Sequence, residues 1–350
     1  MTRSILVLSA AALAIAAPGC APEAELGSID RPIIGGVPVE GDALPTIGAV
    51  TTNIGSICTG TLIAPTVFLT AAHCVEPMLL KQSAQAAGQT PPDEITYQVT
   101  FARDLHAATE DDYLEVASVV WHAEFLADLE AVLTPGVSQW NDIALVHLAE
   151  PVEDRPLQRL APSDVVEALA AEERPVAVAG YGLTSNEDDT SAGVLTAGQS
   201  ALDELGEFEI LAGEGDAQQA CRGDSGGPIF ADDGDIYQIG IASRLNANLF
   251  PPPSEPPPCD SGLLYTRVDT YAAWIEESAG GEVGGPDDGD GGDDGDGDGD
   301  GDDEGEGEGE GEGEGEGGCA AAGGSSPLGL ALLVALALLP LGRRRRRCRR

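Results

Sequence analysis

The run of alternating glycine and acidic residues at 281–318 limits most strictly what this chain can fold into. It reads GEVGGPDDGDGGDDGDGDGDGDDEGEGEGEGEGEGEGG and contains no aromatic or basic residue. A segment with so little apolar surface cannot form a core, and its like charges repel one another and extend the chain. The sequence therefore predicts a disordered spacer that separates a folded middle, 33–280, from a C-terminal tail, 319–350.

The N-terminal segment 1–19 has the parts of a secretory signal peptide: basic Arg3, the apolar run ILVLSAAALAIAA and a small-residue segment that ends before Cys20. The apolar run is shorter than a helix needs to span a bilayer comfortably. We therefore expect an exported protein with a signal peptide at 1–19 and a propeptide at 20–32. Two alternatives stay open at Cys20, namely lipoprotein-type cleavage with acylation of this cysteine, or ordinary signal cleavage nearby.

The tail begins with Cys319, continues with an apolar stretch at 328–341 and ends in RRRRRCRR. The stretch has marginal length for a membrane span, and the arginines favour a cytoplasmic position for that end. Together with the spacer, this tail resembles the C-terminal sorting tails of myxobacterial surface proteins, which implies processing at the Gly-Cys motif. The alternative is a permanent single-span anchor. We expect two partners, namely sorting or export machinery and a membrane that is contacted through the tail or a lipid. The protein is then expected at the cell surface (outer membrane) or secreted.

The charge of the chain argues against several partners. Its formal net charge is −43 at pH 7, and the folded middle is acidic as well as the spacer. Such a surface repels phosphate, so we expect no nucleic-acid partner. No cluster of Cys, His and Asp has metal-ligand spacing, so we expect no metal and no cofactor.

Short apolar runs separated by Gly, Pro, Asn and Asp fill the folded middle, for example TLIAPTVFLTAA, NDIALVHLAE and YQIGIAS. Runs of this length and β-branched character are typical of strands, so an all-β sandwich or barrel is predicted. The final segment VDTYAAWIEES has Val268, Tyr271, Trp274 and Ile275 at helical spacing and predicts a closing amphipathic helix. The segment 79–94 shows no clear period and is predicted to be a long surface loop.

Three motifs carry the groups that activate a hydroxyl nucleophile. TAAHC puts His73 after an apolar strand, NDIAL puts Asp142 at the start of another, and GDSGGP puts Ser225 in a glycine-rich turn. A hydroxyl needs a base to take its proton and a buried carboxylate to orient that base. The glycines allow the amides of Gly223 and Ser225 to point together at a developing oxyanion.

The motifs IIGG, TAAHC, NDIAL, GYG, GDSGGP and LLYTRV follow one another along the chain. In order and context they resemble the trypsin-like (chymotrypsin-fold) serine proteases, from Ile33 to about residue 278. The resemblance implies two antiparallel six-stranded β-barrels with a C-terminal helix and a site in the cleft between the barrels. It also implies an endopeptidase that hydrolyses protein or peptide substrates through an acyl-enzyme. Ser225 would be the nucleophile, His73 the general base and Asp142 its orienter, with the amides of Gly223 and Ser225 as the oxyanion hole.

Four cysteines lie in the folded middle, and the residues alone allow three pairings among Cys58, Cys74, Cys221 and Cys259. The resemblance implies disulfides Cys58–Cys74 and Cys221–Cys259. Each bond would stabilise the fold by roughly 2–4 kcal/mol.

The resemblance also implies a zymogen, in which the freed amino group of Ile33 pairs with Asp224 and sets the oxyanion loop. The residue before Ile33 is Pro32, and Arg31 is followed by this proline. An activator that cuts after a basic residue could therefore not free Ile33 in one step. We expect an activating protease of unusual specificity, or trimming from a cut further upstream.

The predicted specificity pocket departs from that of members of the resembled family that prefer Arg or Lys. Those members carry an acid six residues before the nucleophile, whereas this chain has Gln219. Alignment of GIASRL and SGLLYT with the family assigns Ser243, Leu245 and Leu263 to the pocket, with the leucines where open pockets carry glycine. We expect a small or medium uncharged P1 residue.

The alternative to an active protease is a catalytically inactive homologue that serves as a surface binding or adhesion protein. The tripeptide Arg222-Gly223-Asp224 is one that an exposed loop can offer to an adhesion receptor. The complete set of triad residues in full motif context favours the enzyme, because such a set has no evident packing purpose.

Overall fold

A computed structural model of the chain describes residues 37–127, 135–172, 174–185, 188, 190–215, 220–232, 235–247, 259, 261–281 and 283–284. The predicted signal peptide, propeptide and tail lie outside these residues, as does the spacer from 285 onward. Four predicted site residues also lie outside them: Cys20, Ile33, Gln219 and Cys319. Within the described ranges, no helix is both long and apolar enough to cross a membrane.

The first half of the folded middle is a closed antiparallel barrel in the strand order β2-β3-β4-β7-β6-β5. The strands up to this point are β1 Val37–Pro38, β2 Ile47–Thr52, β3 Ile57–Ala64, β4 Val67–Thr70, β5 Tyr97–Thr100, β6 Tyr113–Trp121 and β7 Ala144–Leu148. Phe68, Leu62 and Leu145 are fully buried in its core. The predicted all-β class is confirmed.

The second half is a sheet in the order β1-β9-β8-β12-β13-β14-β11-β10. Its further strands are β8 Val176–Gly180, β9 Thr196–Ser200, β10 Leu202–Leu205, β11 Glu209–Glu214, β12 Pro228–Asp232, β13 Ile236–Leu245 and β14 Ser261–Arg267. Only Ala201 separates β9 from β10, so one bent strand pairs with β8 at its start and β11 at its end. The predicted six strands thus correspond to an eight-strand order in which the bent strand counts twice and the short β1 is added.

Strand β3 of the first barrel contacts both halves of the fold. Its residues Cys58 and Leu62 belong to the core of the first barrel. Thr61 donates a hydrogen bond from its hydroxyl to the Gln238 side chain of β13 at 2.7 Å. Because successive side chains of a strand point to opposite faces, one strand can serve both contacts. Strand β3 therefore packs against both halves of the fold.

Three described helices complete the fold: α1 Pro77–Ala86, α2 Ser163–Ala171 and α3 Ala272–Ala279. Helix α3 confirms the predicted closing helix, and its Ile275 is fully buried against the first barrel.

Helix α1 corrects the prediction of a surface loop at 79–94 in its first part, 79–86, whereas 87–94 contain no helix or strand. The Glu76 carboxylate caps this helix by accepting hydrogen bonds from the N–H groups of Met78 at 3.2 Å and Leu79 at 2.6 Å. Leu79 and Leu80 are buried. The cap and this burial decide the conformation where periodicity alone was indistinct.

Candidate active site

His73 and Asp142 meet because their strands are neighbours. His73 lies in the 3-10 turn that follows β4, and Asp142 lies just before β7, which pairs with β4 through Thr70 and Ala144. His73 Nδ1 lies 2.7 Å from Asp142 Oδ2, and the His73 main-chain N–H donates to Oδ1 at 2.9 Å. The exposed fractions are 1 % for His73 and 0 % for Asp142. The carboxylate therefore fixes both the ring and the backbone of this histidine.

Asp142 is held in its ionised form by these contacts. Burial raises its pKa, but the charge of His73 and the hydrogen bonds from His73 and Ser243 together lower it below the ordinary value. The Ser243 hydroxyl donates to Oδ2 at 2.7 Å. A buried anion at Nδ1 stabilises a protonated imidazole, as a general base requires. Ser243, which was predicted to lie in the pocket, thus contacts the carboxylate of the candidate triad.

Ser225 lies in a tight loop, 221–227, that is bonded to both halves of the fold. Its carbonyl accepts a hydrogen bond from Thr59 N–H at 2.8 Å, and Gly226 N–H donates to the Ala242 carbonyl at 2.7 Å. A Cβ on Gly226 would lie 2.1 Å from the Thr70 hydroxyl oxygen, so only glycine fits there. The Ser225 side chain is partly exposed.

The imidazole Nε2 of His73 has no hydrogen-bond partner among the described residues. The Ser225 hydroxyl is therefore not bonded to it in this structure. This nitrogen is the ring atom that Asp142 leaves unoccupied, and it is available to accept a proton during a reaction.

Two main-chain amides of this loop, those of Gly223 and Ser225, are free donors among the described residues. The Arg222 carbonyl accepts from Leu183 N–H at 2.9 Å, and the Asp224 carbonyl accepts from Gly227 N–H at 2.8 Å. In a planar trans peptide the N–H points opposite to the C=O, so these bonds direct the N–H groups of Gly223 and Ser225 away from them. Within the described part of the chain, neither N–H donates a hydrogen bond. Both can therefore bind an incoming oxygen.

The carboxylate of Asp224 is buried behind this loop, with 1 % of the residue exposed. It accepts hydrogen bonds from Gly182 N–H at 2.7 Å and Cys221 N–H at 2.8 Å. A Cβ on Gly180 or Gly182 would lie 2.3 or 2.4 Å from its oxygens, which explains the glycines of the GYG motif. Burial raises the pKa of Asp224 to about 7, although its two hydrogen bonds lower it in part. No ion pair neutralises it within the described ranges.

Two disulfides frame the site. The structure joins Cys58 to Cys74 and Cys221 to Cys259. Potential ligand atoms of Cys58, His73 and Cys74 all lie within 4.8 Å of one another. A metal would need thiolates, and both sulfurs are already bonded to each other, so these residues do not fit a metal centre.

The residues of the predicted pocket are only partly brought together. Leu245 and Leu263 lie directly opposite each other on β13 and β14. Leu245 also packs against the apolar cluster that contains the Cys221–Cys259 disulfide. The pocket wall in this region is therefore apolar, while Ser243 turns to Asp142 and Gln219 lies outside the described residues.

A buried ion pair next to the site was not predicted. Arg244 donates to the Glu209 carboxylate at 2.8 Å and to the Ser138 hydroxyl at 2.7 Å. Burial raises the pKa of Glu209 and lowers that of Arg244. The sequence signal was the single charge at the end of the apolar run IYQIGIASRL. The pair links the segment that leads to Asp142 with the strand that carries Ser243.

Trp140 is the second unpredicted neighbour. Its ring stacks with the His73 imidazole at a centroid distance of 6.4 Å and an interplanar angle of 6°. Only 3 % of Trp140 is exposed. It therefore shields one face of the imidazole from water.

Comparison with known proteins gives several matches. The family profile described as Trypsin matches residues 33–275. Chymotrypsin-C from Mus musculus is 29 % identical over 244 residues, which cover 63 % of this chain and 77 % of the relative. Granzyme M from Homo sapiens is 24 % identical over 294 residues, covering 79 % and 96 %, respectively. Chymotrypsin-like elastase family member 1 from Canis lupus familiaris is 24 % identical over 238 residues, covering 62 % and 79 %.

Proposed function

The chain belongs to the trypsin family of serine proteases and is a serine endopeptidase, and on this premise we propose that Ser225, His73 and Asp142 form its catalytic triad. One observation carries the assignment. The Asp142 carboxylate holds His73 Nδ1 at 2.7 Å and leaves Nε2 without a partner among the described residues. The partly exposed Ser225 lies in a loop bonded to the same barrel, and the N–H groups of Gly223 and Ser225 donate to no described residue.

In the proposed reaction, Ser225 Oγ attacks the carbonyl carbon of a peptide bond and its proton passes to His73 Nε2. The N–H groups of Gly223 and Ser225 donate to the oxyanion of the tetrahedral intermediate. Asp142 stabilises the imidazolium, which then gives its proton to the leaving amine. Water, deprotonated by His73, cleaves the resulting acyl-enzyme and regenerates the serine.

Hydrolysis of an unstructured protein substrate tests this assignment. We expect Ser225→Ala to lower turnover by about 10⁶-fold, because the three residues act as a unit. A Ser225→Ala variant with parental activity would assign the chemistry to other residues.

The adhesion alternative is not favoured by the burial of Asp224. This residue is 1 % exposed, so the Arg222-Gly223-Asp224 tripeptide is not presented in the extended, solvated form that an adhesion receptor reads.

For specificity, we propose a small or medium uncharged P1 residue. The support is the apolar pair Leu245 and Leu263, together with Gln219 in place of an acid. A peptide-library profile dominated by Arg or Lys at P1 would contradict this preference.

For activation, we propose that the new amino group of Ile33 pairs with Asp224. A carboxylate with a pKa raised to about 7 and no cation beside it among the described residues is an unfavourable buried group, and a nearby ammonium would remove the penalty. The cut after Pro32 requires an activating protease. N-terminal sequencing should find Ile33 first in the active enzyme, and an active form that retains Pro32 would contradict the pairing.

For the organisation of the chain, we propose a signal peptide at 1–19, a propeptide at 20–32, a protease domain at 33–280, a spacer at 281–318 and a sorting tail at 319–350. Export then depends on the signal peptide, and surface sorting depends on machinery that acts at Cys319. Cys20 is a lipidation site if the signal peptide is cleaved directly before it. The mass of the mature protein identifies both ends and any lipid. A mature chain that still contains 1–19 would contradict export by signal cleavage.

A further inference from the structure

Thr59 of β3 contacts the nucleophile loop from the first barrel. Its exposed fraction is 0 %. The Thr59 hydroxyl donates to the Gly223 carbonyl at 2.9 Å, and its main-chain N–H donates to the Ser225 carbonyl at 2.8 Å. The same hydroxyl accepts a hydrogen bond from Tyr181 N–H at 3.1 Å. One buried residue therefore holds a carbonyl group on each side of Asp224.

Three motif glycines pack around this threonine. A Cβ on Gly180 would lie 2.9 Å from the Thr59 hydroxyl oxygen, and one on Gly227 would lie 3.1 Å from the Thr59 Cβ. A Cβ on Gly226 would lie 2.4 Å from the Thr59 carbonyl oxygen. The glycines of both GYG and GDSGGP thus leave room for Thr59, and its hydroxyl has a fixed environment.

Besides the Thr59 hydroxyl on its carbonyl, the Gly223–Asp224 peptide has one further bond, from the Asp224 N–H to the Cys221 carbonyl at 3.0 Å. Gly223 has a φ of +102°, in the region that favours glycine, and it has no side chain to restrict rotation of the neighbouring peptide planes. The peptide between Gly223 and Asp224 lies directly between the two oxyanion amides. Because a peptide is planar, a bond to its carbonyl sets the orientation of the whole unit.

We propose that Thr59 is a positioning residue for the oxyanion hole, an inference that rests on the proposed function of Ser225. Its hydroxyl fixes the Gly223–Asp224 peptide, which joins the two peptides that carry the Gly223 and Ser225 amides. It thus keeps these amides in one relative orientation, together with the bonds from Leu183 and Gly227 to the Arg222 and Asp224 carbonyls. Thr59 touches neither substrate nor reacting atoms, so it acts only through the loop.

The test compares three variants of the full chain, processed in the same way as the parent. Thr59→Val keeps the shape and removes the hydroxyl, whereas Thr59→Ser keeps the hydroxyl. Thr70→Val is the matched control, because the Thr70 hydroxyl is also buried and donates to the Thr59 carbonyl at 2.8 Å without bonding the loop carbonyls. The readout is the second-order rate at which a small alkyl fluorophosphonate labels Ser225, since its P=O oxygen occupies the oxyanion position.

We expect Thr59→Val to lower this rate by about 10- to 100-fold, less than the loss of an oxyanion donor itself. Thr59→Ser and Thr70→Val should label near the parental rate, while the thermal midpoints of the two valine variants fall alike. A crystal structure of Thr59→Val should show the Gly223–Asp224 peptide turned from its parental orientation.

An equal loss of rate in Thr70→Val would assign the effect to general destabilisation and overturn the proposal. A parental rate and an unchanged peptide in Thr59→Val would overturn it too. If the parent itself is not labelled, the proposed function of Ser225 fails, and the orientation of the peptide in the Thr59→Val crystal structure still decides whether the hydroxyl positions the loop.

Discussion

Two aspartates of this protease are equally buried but have opposite pKa shifts. Asp142 is 0 % exposed and Asp224 is 1 % exposed. Burial raises the pKa of both, yet His73 and hydrogen bonds bring that of Asp142 below its ordinary value. The pKa of Asp224 stays raised, at about 7, because its hydrogen bonds from Cys221 and Gly182 offset burial only in part.

The difference lies in the partners. Asp142 receives bonds from a side chain that can become a cation and from the Ser243 hydroxyl, both supplied by the folded barrels. Asp224 receives two main-chain N–H groups, and no cation pairs with it within the described residues. At Asp224 the two main-chain hydrogen bonds do not fully offset desolvation, and a positive charge close to the carboxylate would do so. Asp142 therefore has its partners on folding, whereas Asp224 has no cation among the described residues, and we propose that the amino group of Ile33 supplies it.

Among the buried carboxylates, the largest expected effect comes from removing the charge of Asp142. Asp142→Asn keeps the shape of the side chain but favours the wrong tautomer of His73 and leaves its cation unstabilised. We expect kcat/KM on a peptide substrate to fall by about 10⁴-fold, with little change in KM. A loss below about tenfold would show that this carboxylate does not orient the base.

The second effect is a pH dependence of precursor stability that arises from Asp224. Between the ordinary pKa of 3.8 and the folded value of about 7, the native state holds a proton that the unfolded state has lost. The free energy of unfolding therefore falls by about 4 kcal/mol in total as pH rises through this window. Below the window Asp224 is protonated in both states, so it causes no further change and the full stability is present. Urea unfolding of the precursor from pH 4 to pH 8 measures the slope.

Asp224→Asn is the control for this slope, because an amide does not titrate. The variant precursor should lack the component of the slope that Asp224 contributes, whatever its absolute stability. The enzyme that begins at Ile33 should lack it as well, since the ammonium lowers the pKa of Asp224. Equal slopes in the precursor and in Asp224→Asn would contradict a raised pKa.

The third effect concerns Glu209, a buried carboxylate that has its cation in the folded chain. Arg244→Met removes that cation and leaves the charge buried, which should lower the free energy of unfolding by about 3 kcal/mol. The double variant Arg244→Met/Glu209→Gln should recover most of this loss. Chemical unfolding of all three proteins at pH 7 gives the comparison, and a single variant as stable as the parent would show that the pair is dispensable.

The smallest effect is that of Ser243. Ser243→Ala removes one hydrogen bond from Asp142 and raises the pKa of that carboxyl toward its ordinary value. We expect kcat/KM to fall by about tenfold, equivalent to one hydrogen bond to a charged group of about 1.5 kcal/mol. The acidic limb of the pH–rate profile should keep its shape, because Ser225 and His73 are unchanged in this variant. A loss of kcat/KM as large as that of Asp142→Asn would show that Ser243 alone orients the carboxylate.

Much of this molecule could be predicted from short-range patterns. Apolar runs gave the strands, the spacing of Tyr271 and Ile275 gave the closing helix, and the motifs around His73, Asp142 and Ser225 identified the residues that we propose for catalysis. Each of these signals lies within a few neighbouring residues, so the strand or helix period and the motif residues can be identified directly in the sequence.

What was missed depends on contacts between distant residues. The α1 helix needs the Glu76 cap and a buried site for Leu79, and neither shows as a clear period. Arg244 finds Glu209 at a separation of 35 residues, and Thr59 finds Gly223 at 164. No local pattern specifies such a partner, because the barrels must fold before these groups meet.

The most direct measurement locates the adduct of a fluorophosphonate on the enzyme that begins at Ile33, by mass spectrometry of its peptides. We expect one adduct, on Ser225, and a strongly reduced rate of labelling in Asp142→Asn. An enzyme that cleaves protein substrates without an adduct on Ser225, or with the adduct on another residue, would contradict the triad of Ser225, His73 and Asp142.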